Sequence, residues 1–321
     1  MKPILLLLFC VLTAIAQKVT VSARRLTDQP LLSPRPGWMS LGVFNPAAVK
    51  VGNKVVLLFR AQDSAHTSRI GYAESRDGIH FTVRPEPVLA PEADYEKSGG
   101  VEDPRLVSID GTYYLTYTGY NLRAAQLCLA TSKDLIHWER KGVILPAYQG
   151  TWNDQWTKSG AIVPEKIGGK WWMYYLGSRK DTDGKQRDLM GLANSDDLLH
   201  WRDATSQPVL PRNPQAFDSR VMEPGPAPIL TSRGILLLYN GADEQLVYGP
   251  GWALFDREHP ERLLARSDGP FVLPTLPWEK VGNVPNVIFL EGAVAGPKNV
   301  TGYYGAADKY IGALEITFTV Q

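Results

Sequence analysis

The chain has 321 residues, with 34 Lys and Arg against 33 Asp and Glu, and a formal charge of +1. That balance, with no basic run, argues against nucleic acid as a partner. Two cysteines are too few for a disulfide framework or a cysteine metal cluster, and 9 Trp with 14 Tyr suit either a β-rich protein or one that stacks rings on sugars.

Residues 1–16 are expected to be a secretory signal peptide. Lys2 supplies a positive start, Ile4 to Ile15 is an apolar run too short for a membrane span, and Ala14-Ile15-Ala16 is a small-x-small cleavage site before Gln17. Bulky Phe9 before Cys10 speaks against lipidation. Cleavage would remove Cys10 and leave Cys128 as the one thiol of a secreted or periplasmic protein with no membrane contact. Residues 17–321 are then expected to form a single domain.

From there a proline-marked segment recurs five times, at Pro46, Pro104, Pro164, Pro228 and Pro285, with spacings of 58, 60, 64 and 57 residues. Each copy continues with an apolar run, a Gly-containing turn and an aromatic-rich run, as in Val55-Val56-Leu57-Leu58-Phe59-Arg60 and Tyr113-Tyr114-Leu115-Thr116-Tyr117-Thr118. Helical periodicity is nearly absent. A second repeated element, Ser75-Arg76-Asp77-Gly78-Ile79-His80, returns at Ser132 to His137 and at Ser195 to His200. It reads as an Asp-capped hairpin, so its three histidines are structural rather than metal ligands or bases. Four strands in each of five units predict an all-β fold, a five-bladed β-propeller. The last copy is short, so residues 19–32 are expected to supply a strand that helps close the ring.

Chemistry is expected where one copy departs from the others. The first strands of the units deliver Asn45, Glu102, Asp103, Arg105, Lys158, Glu223 and Asn286 towards the axis. The second strands add Arg60, Asp63, Asn240, Asp243 and Asp308. Two carboxylates flanking a sugar are what glycosidic cleavage needs, one to protonate the leaving oxygen and one to activate the nucleophile. Asp103 and Glu223, from different units, are the expected pair. Placement across the axis would favour inversion, and Arg105 would hold substrate or orient a carboxylate.

At Gly99-Gly100-Val101-Glu102-Asp103-Pro104-Arg105 the chain resembles glycoside hydrolase family 130, the β-mannoside phosphorylases and β-mannosidases. Phe44-Asn45-Pro46-Ala47, Lys158-Ser159-Gly160-Ala161, Val284-Pro285-Asn286-Val287 and Tyr303-Tyr304-Gly305-Ala306-Ala307-Asp308 extend the likeness along the chain. The resemblance implies a five-bladed propeller, a β-mannoside oligosaccharide as substrate, and Asp103 as proton donor of an inverting reaction. It implies no cofactor, and no metal motif is present. The family's phosphorylases hold phosphate with basic and histidine side chains on the third and fourth blades. Here those places read Tyr174-Tyr175-Leu176-Gly177, Val221-Met222-Glu223-Pro224-Gly225 and Tyr239-Asn240-Gly241. A carboxylate where phosphate would sit favours water as nucleophile, with Glu223 as its base and Asp243 or Glu244 as a candidate second acid. The alternatives are a β-mannoside phosphorylase, a non-catalytic sugar-binding propeller, and a related glycosidase acting on arabinose, xylose or fructose. Linkage, chain length and oligomeric state are open at this point.

Overall fold

A computed structural model describes residues 18–296 and 299–321; the expected signal peptide lies outside the described residues. The fold is all-β, and the described residues contain one helix, α1 (Pro277–Lys280). A first strand, β1 (Val19–Arg25), precedes five consecutive antiparallel runs. These are β2 (Gly42–Val51), β3 (Lys54–Gln62), β4 (Ser68–Ser75) and β5 (Thr82–Val83); then β6 (Gly100–Ile109), β7 (Thr112–Tyr120), β8 (Ala125–Ser132) and β9 (Glu139–Leu145). The third is β10 (Thr157–Ile162), β11 (Trp171–Lys180), β12 (Gln186–Ser195) and β13 (Trp201–Asp203), and the fourth is β14 (Val221–Pro224), β15 (Ile229–Thr231), β16 (Gly234–Ala242), β17 (Tyr248–Phe255) and β18 (Leu263–Arg266). The last is β19 (Ile288–Ala295), β20 (Val300–Ala306) and β21 (Tyr310–Val320), and β1 pairs with β21 as its outer strand, Val19 opposite Val320 through Arg25 opposite Leu314. The expected closing strand is therefore present.

Neighbouring runs touch through single parallel contacts, Ser68 with Gly100, Asp188 with Val221 and Tyr248 with Val287. Between them lie apolar layers built from the inward residues of each strand, such as Leu57, Leu115, Tyr174, Leu237 and Tyr304. The repeated hairpin behaves as expected. Asp77, Asp134 and Asp197 each accept two backbone N–H bonds and face a histidine Nδ1 at 2.7 Å, with all three histidines exposed.

Near the end of each second strand an aromatic residue pairs in register with a small residue of the third strand. The pairs are Phe59 with Gly71, Tyr117 with Cys128, Tyr175 with Gly191, Tyr239 with Gly251 and Tyr304 with Gly312. A Cβ on Gly191 or Gly312 would come within 2.5 Å or less of the ring, so these glycines answer to space. Three of the tyrosines are tied into a latch of one design. Glu96, Asp218 and Glu279 are fully buried, and each accepts the hydroxyl of Tyr117, Tyr239 or Tyr304 at 2.7, 2.7 and 2.8 Å. Each also binds an arginine of the outer strand, Arg140, Arg266 or Arg25. In the third run the polarity is reversed, since Asp203 on the outer strand and Asn153 on the loop share Tyr175. The first run replaces the latch with Trp38 stacked on Phe59.

Candidate active site

The latches stand just before the strands that reach the centre. Glu96 precedes Asp103, Asp218 precedes Glu223 and Glu279 precedes Asn286 by five to seven residues. The central strands then break register at Phe44/Pro46, Glu102/Arg105, Lys158/Ala161 and Leu290/Gly292. A bulge frees side chains from the alternation of the ladder and re-aims them. The residues released are Asn45, Asp103, Ser159 and Glu291. The first three take left-handed backbone at φ 48, 49 and 61°, a strain uncommon outside glycine.

Their side chains meet. Asn45, Arg60, Asp103, Lys158, Glu223, Tyr248 and Asp308 line one cavity of about 130 Å³, with Val284, Val287 and Phe289 on its apolar side. Asp103 accepts from Asn45 Nδ2 at 2.8 Å and from Arg60 at 3.0 Å. Arg60 also bonds Glu102 at 2.6 Å and lies 4.8 Å from the Phe44 ring centre. Glu223 accepts the Ser159 hydroxyl and stands 3.6 Å from Arg105 and 3.7 Å from Lys158. Beneath the floor Arg105 is buried, donates twice to the carbonyl of Pro224, and reaches Glu291 at 3.2 Å.

Charge is unevenly held here. Burial would raise the pKa of Asp103, but Arg60, Lys158 and Arg105 together outweigh it and bring the group to about 2. Asp308 goes the other way: burial, with Asp103 and Glu223 adding repulsion, raises it to about 6 against the attraction of Arg60 and Lys158. Burial also lifts Glu102 and, far more, Glu291 above the usual carboxylate range. Burial would lower Lys158, yet Glu223 and Asp103 hold it protonated.

Of the residues expected at the centre, Asn45, Arg60, Asp103, Lys158, Glu223 and Asp308 line the cavity. Glu102 is tied to Arg60 at its edge, and Asn286 is half-buried beside Val284 and Val287. Five expectations need correction. Asp63 caps its own turn at Ala65 and Thr67 and pairs with Arg69 at 2.7 Å. Asp243 does the same for Gln245 and Val247. Short acidic side chains at turn starts satisfy nearby N–H groups before anything distant. Glu244, a candidate second acid, lies among Lys185, Arg187, Arg212 and Arg220 away from the cavity lining. Asn240 is fully buried and clamps both backbone groups of Leu290, joining the fourth run to the fifth. Arg105 orients Glu223 from below and is not on the cavity lining, because the bulge at Asp103 cancels the simple two-residue alternation. Ser159 and Glu291 were missed. A lone carboxylate inside the apolar run Val287 to Val294 was the available signal for Glu291.

The sequence matches, over residues 21–320, a family profile described as beta-1,4-mannooligosaccharide phosphorylase, Glyco_hydro_130. It is 39% identical over 304 residues to a 1,2-beta-oligomannan phosphorylase of Thermoanaerobacter sp. (strain X514), covering 91% of this chain and 96% of that one. It also superposes, with a TM-score of 0.82 and 34% identity over 92% of this chain and 93% of the other, on a structure reported under the statement that the GH130 family of mannoside phosphorylases contains glycoside hydrolases that target β-1,2 mannosidic linkages in Candida mannan. A beta-1,2-mannobiose phosphorylase from Listeria innocua in complex with β-1,2-mannobiose gives a TM-score of 0.81 at 26% identity, over 91% of this chain and 96% of that one.

Proposed function

This chain belongs to glycoside hydrolase family 130, a family of enzymes acting on β-mannosides, and on that premise we propose that it hydrolyses β-1,2-linked manno-oligosaccharides with inversion. We read the five antiparallel runs as the blades of a propeller with the cavity at their axis, and place the mature enzyme outside the cytoplasm. The cavity is smaller than the roughly 300–1,000 Å³ of pockets for drug-sized ligands. That size suits one sugar ring and removal of terminal units. In this reading Asp103 protonates the glycosidic oxygen as its bond to C1 breaks. Glu223 takes a proton from the water whose oxygen bonds to C1 on the opposite face. Ser159 and Arg105 fix the Glu223 carboxylate. In this reading Asp103, held ionised in the empty cavity, must take up a proton before it acts as acid, and Asp308, raised to about 6, is the neighbouring carboxyl that carries one below that pH.

The observation that carries water over phosphate is Glu223 itself. Five acids (Glu102, Asp103, Glu223, Glu291 and Asp308) face three bases (Arg60, Arg105 and Lys158) in and around the cavity. A phosphate dianion about 4 Å from Glu223 would meet a repulsion of roughly 4 kcal/mol per unit charge at an effective dielectric near 20.

Phosphorolysis is the second reading, and the names of the curated relatives favour it over hydrolysis: those matching over three quarters or more of this chain are β-mannoside phosphorylases. One experiment separates the two. The purified protein is given β-1,2-mannobiose in ¹⁸O-labelled water with and without inorganic phosphate, and products are weighed. Labelled mannose in both arms supports hydrolysis; mannose 1-phosphate formed only with phosphate would replace it.

A further inference from the structure

A cluster of aromatic rings outside the cavity is left unused by this chemistry. Trp156 stands two residues before the cavity residue Lys158. Its carbonyl still accepts from Ser178 at 2.8 Å, so the strand pairing of β10 extends through it. Alternation puts Trp156 and Lys158 on one face, while the intervening Thr157 turns into the core and donates to the carbonyl of Leu145. Tyr120, at the end of β7, lies across Gly99 and meets Trp156 with ring centres 6.1 Å apart at 55°.

Tyr148 completes the cluster and is costly to keep. It is 54% exposed and holds left-handed backbone at φ 61°, a conformation that bulky residues avoid. No core burial offsets that strain. Its hydroxyl accepts from Trp156 Nε1 at 2.9 Å and donates to the carbonyl of Arg123 at 3.1 Å. The polar ends of both rings are thus occupied by each other and the backbone, leaving ring faces as what the surface offers. Ring faces fixed in place bind the C–H faces of pyranoses at small entropic cost.

We propose that Trp156, Tyr148 and Tyr120 form a platform for the mannosyl units of the substrate that lie outside the cavity. The platform continues from the cavity wall at Lys158, and it rests on the reading above that the substrate is a β-manno-oligosaccharide. It makes the enzyme favour chains over the single sugar.

The test is calorimetric binding of mannose and of β-1,2-mannotriose to the Asp103→Asn protein, alone and combined with Trp156→Ala, Tyr148→Ala or Trp156→Phe. Each alanine variant should weaken the trisaccharide about tenfold, the scale of one aromatic contact, and leave mannose unchanged. Phe should restore most of the loss, which a folding defect would not permit. Equal trisaccharide affinity in the alanine variants, or equal losses for both sugars, would overturn the platform alone. Failure of the folded Asp103→Asn parent to bind either sugar would overturn the substrate reading and the platform with it.

Discussion

Arg60 touches Asp103 at 3.0 Å and also acts on Asp308, yet the two carboxyls hold protons differently. Asp103 sits near 2 and Asp308 near 6, so around neutral pH Asp308 is the group poised to titrate. The sign for stability follows from linkage. Between the ordinary aspartate value of 3.8 and about 6, the folded protein keeps a proton that the unfolded chain has released. Stability contributed by this group is therefore lost as pH rises through that window. Asp308→Asn should raise Tm by a few degrees at pH 7 and by much less at pH 4, as melting curves at the two pH values will show. If Asp308 supplies the proton that Asp103 delivers, kcat/KM should fall above about pH 6 in the parent enzyme. The paired acids give a separate expectation. Asp103→Asn and Glu223→Gln should each lower turnover of β-1,2-mannobiose by about 10² to 10⁴, with KM little changed for Glu223→Gln because water, not sugar, is its partner.

The bulges and the latches divide the work at the level of elements. In the second and last runs a bulge turns one side chain of the first strand towards the site, and the latch behind it fixes where that strand begins. Glu96 shows the coupling: besides Tyr117 and Arg140 it accepts the backbone N–H groups of Glu92 and Ala93, and its own carbonyl accepts Gly100 N at 2.8 Å. Tyr117→Phe deletes one bond to a buried carboxylate and should cost about 1–3 kcal/mol in chemical denaturation. Loosening the strand that carries Asp103 should lower kcat more than it raises KM. Tyr304→Phe, in a run that carries neither Asp103 nor Glu223, should cost similar stability and leave the ratio of kcat to KM closer to the parent. Much of this level was legible beforehand. The repeated prolines, the Gly turns and the Ser-x-Asp-x-x-His hairpins all appear where local sequence demands them, since a turn satisfies its own hydrogen bonds. The latches were not legible, because acid, tyrosine and arginine stand up to 254 residues apart in sequence, as Arg25 and Glu279 do.

Arg25 carries the same logic to the whole molecule. The first strand closes the last run, and its arginine is the charged partner of Glu279, whose side chain is fully buried. Arg25→Ala leaves that carboxylate facing only Tyr304 and two backbone N–H groups. Loss of one partner of a buried pair costs about 3–5 kcal/mol, so this one change far from the cavity should clearly lower the denaturation midpoint.

The repeat, the all-β class, the closing strand and the convergence of Asn45, Arg60, Asp103, Lys158, Glu223 and Asp308 were readable from residue order. Periodicity tells which strand a residue rides and which end of the strand it occupies. Tertiary structure alone decided that Asp63 and Asp243 serve their own turns, that Glu244 belongs to an outlying ion network, that Asn240 is a clamp, and that Ser159 and Glu291 stand behind Glu223. The reason is that a bulge rotates one side chain by breaking the very alternation from which a sequence is read, and a polar residue goes to whichever unsatisfied partner the folded backbone brings nearest.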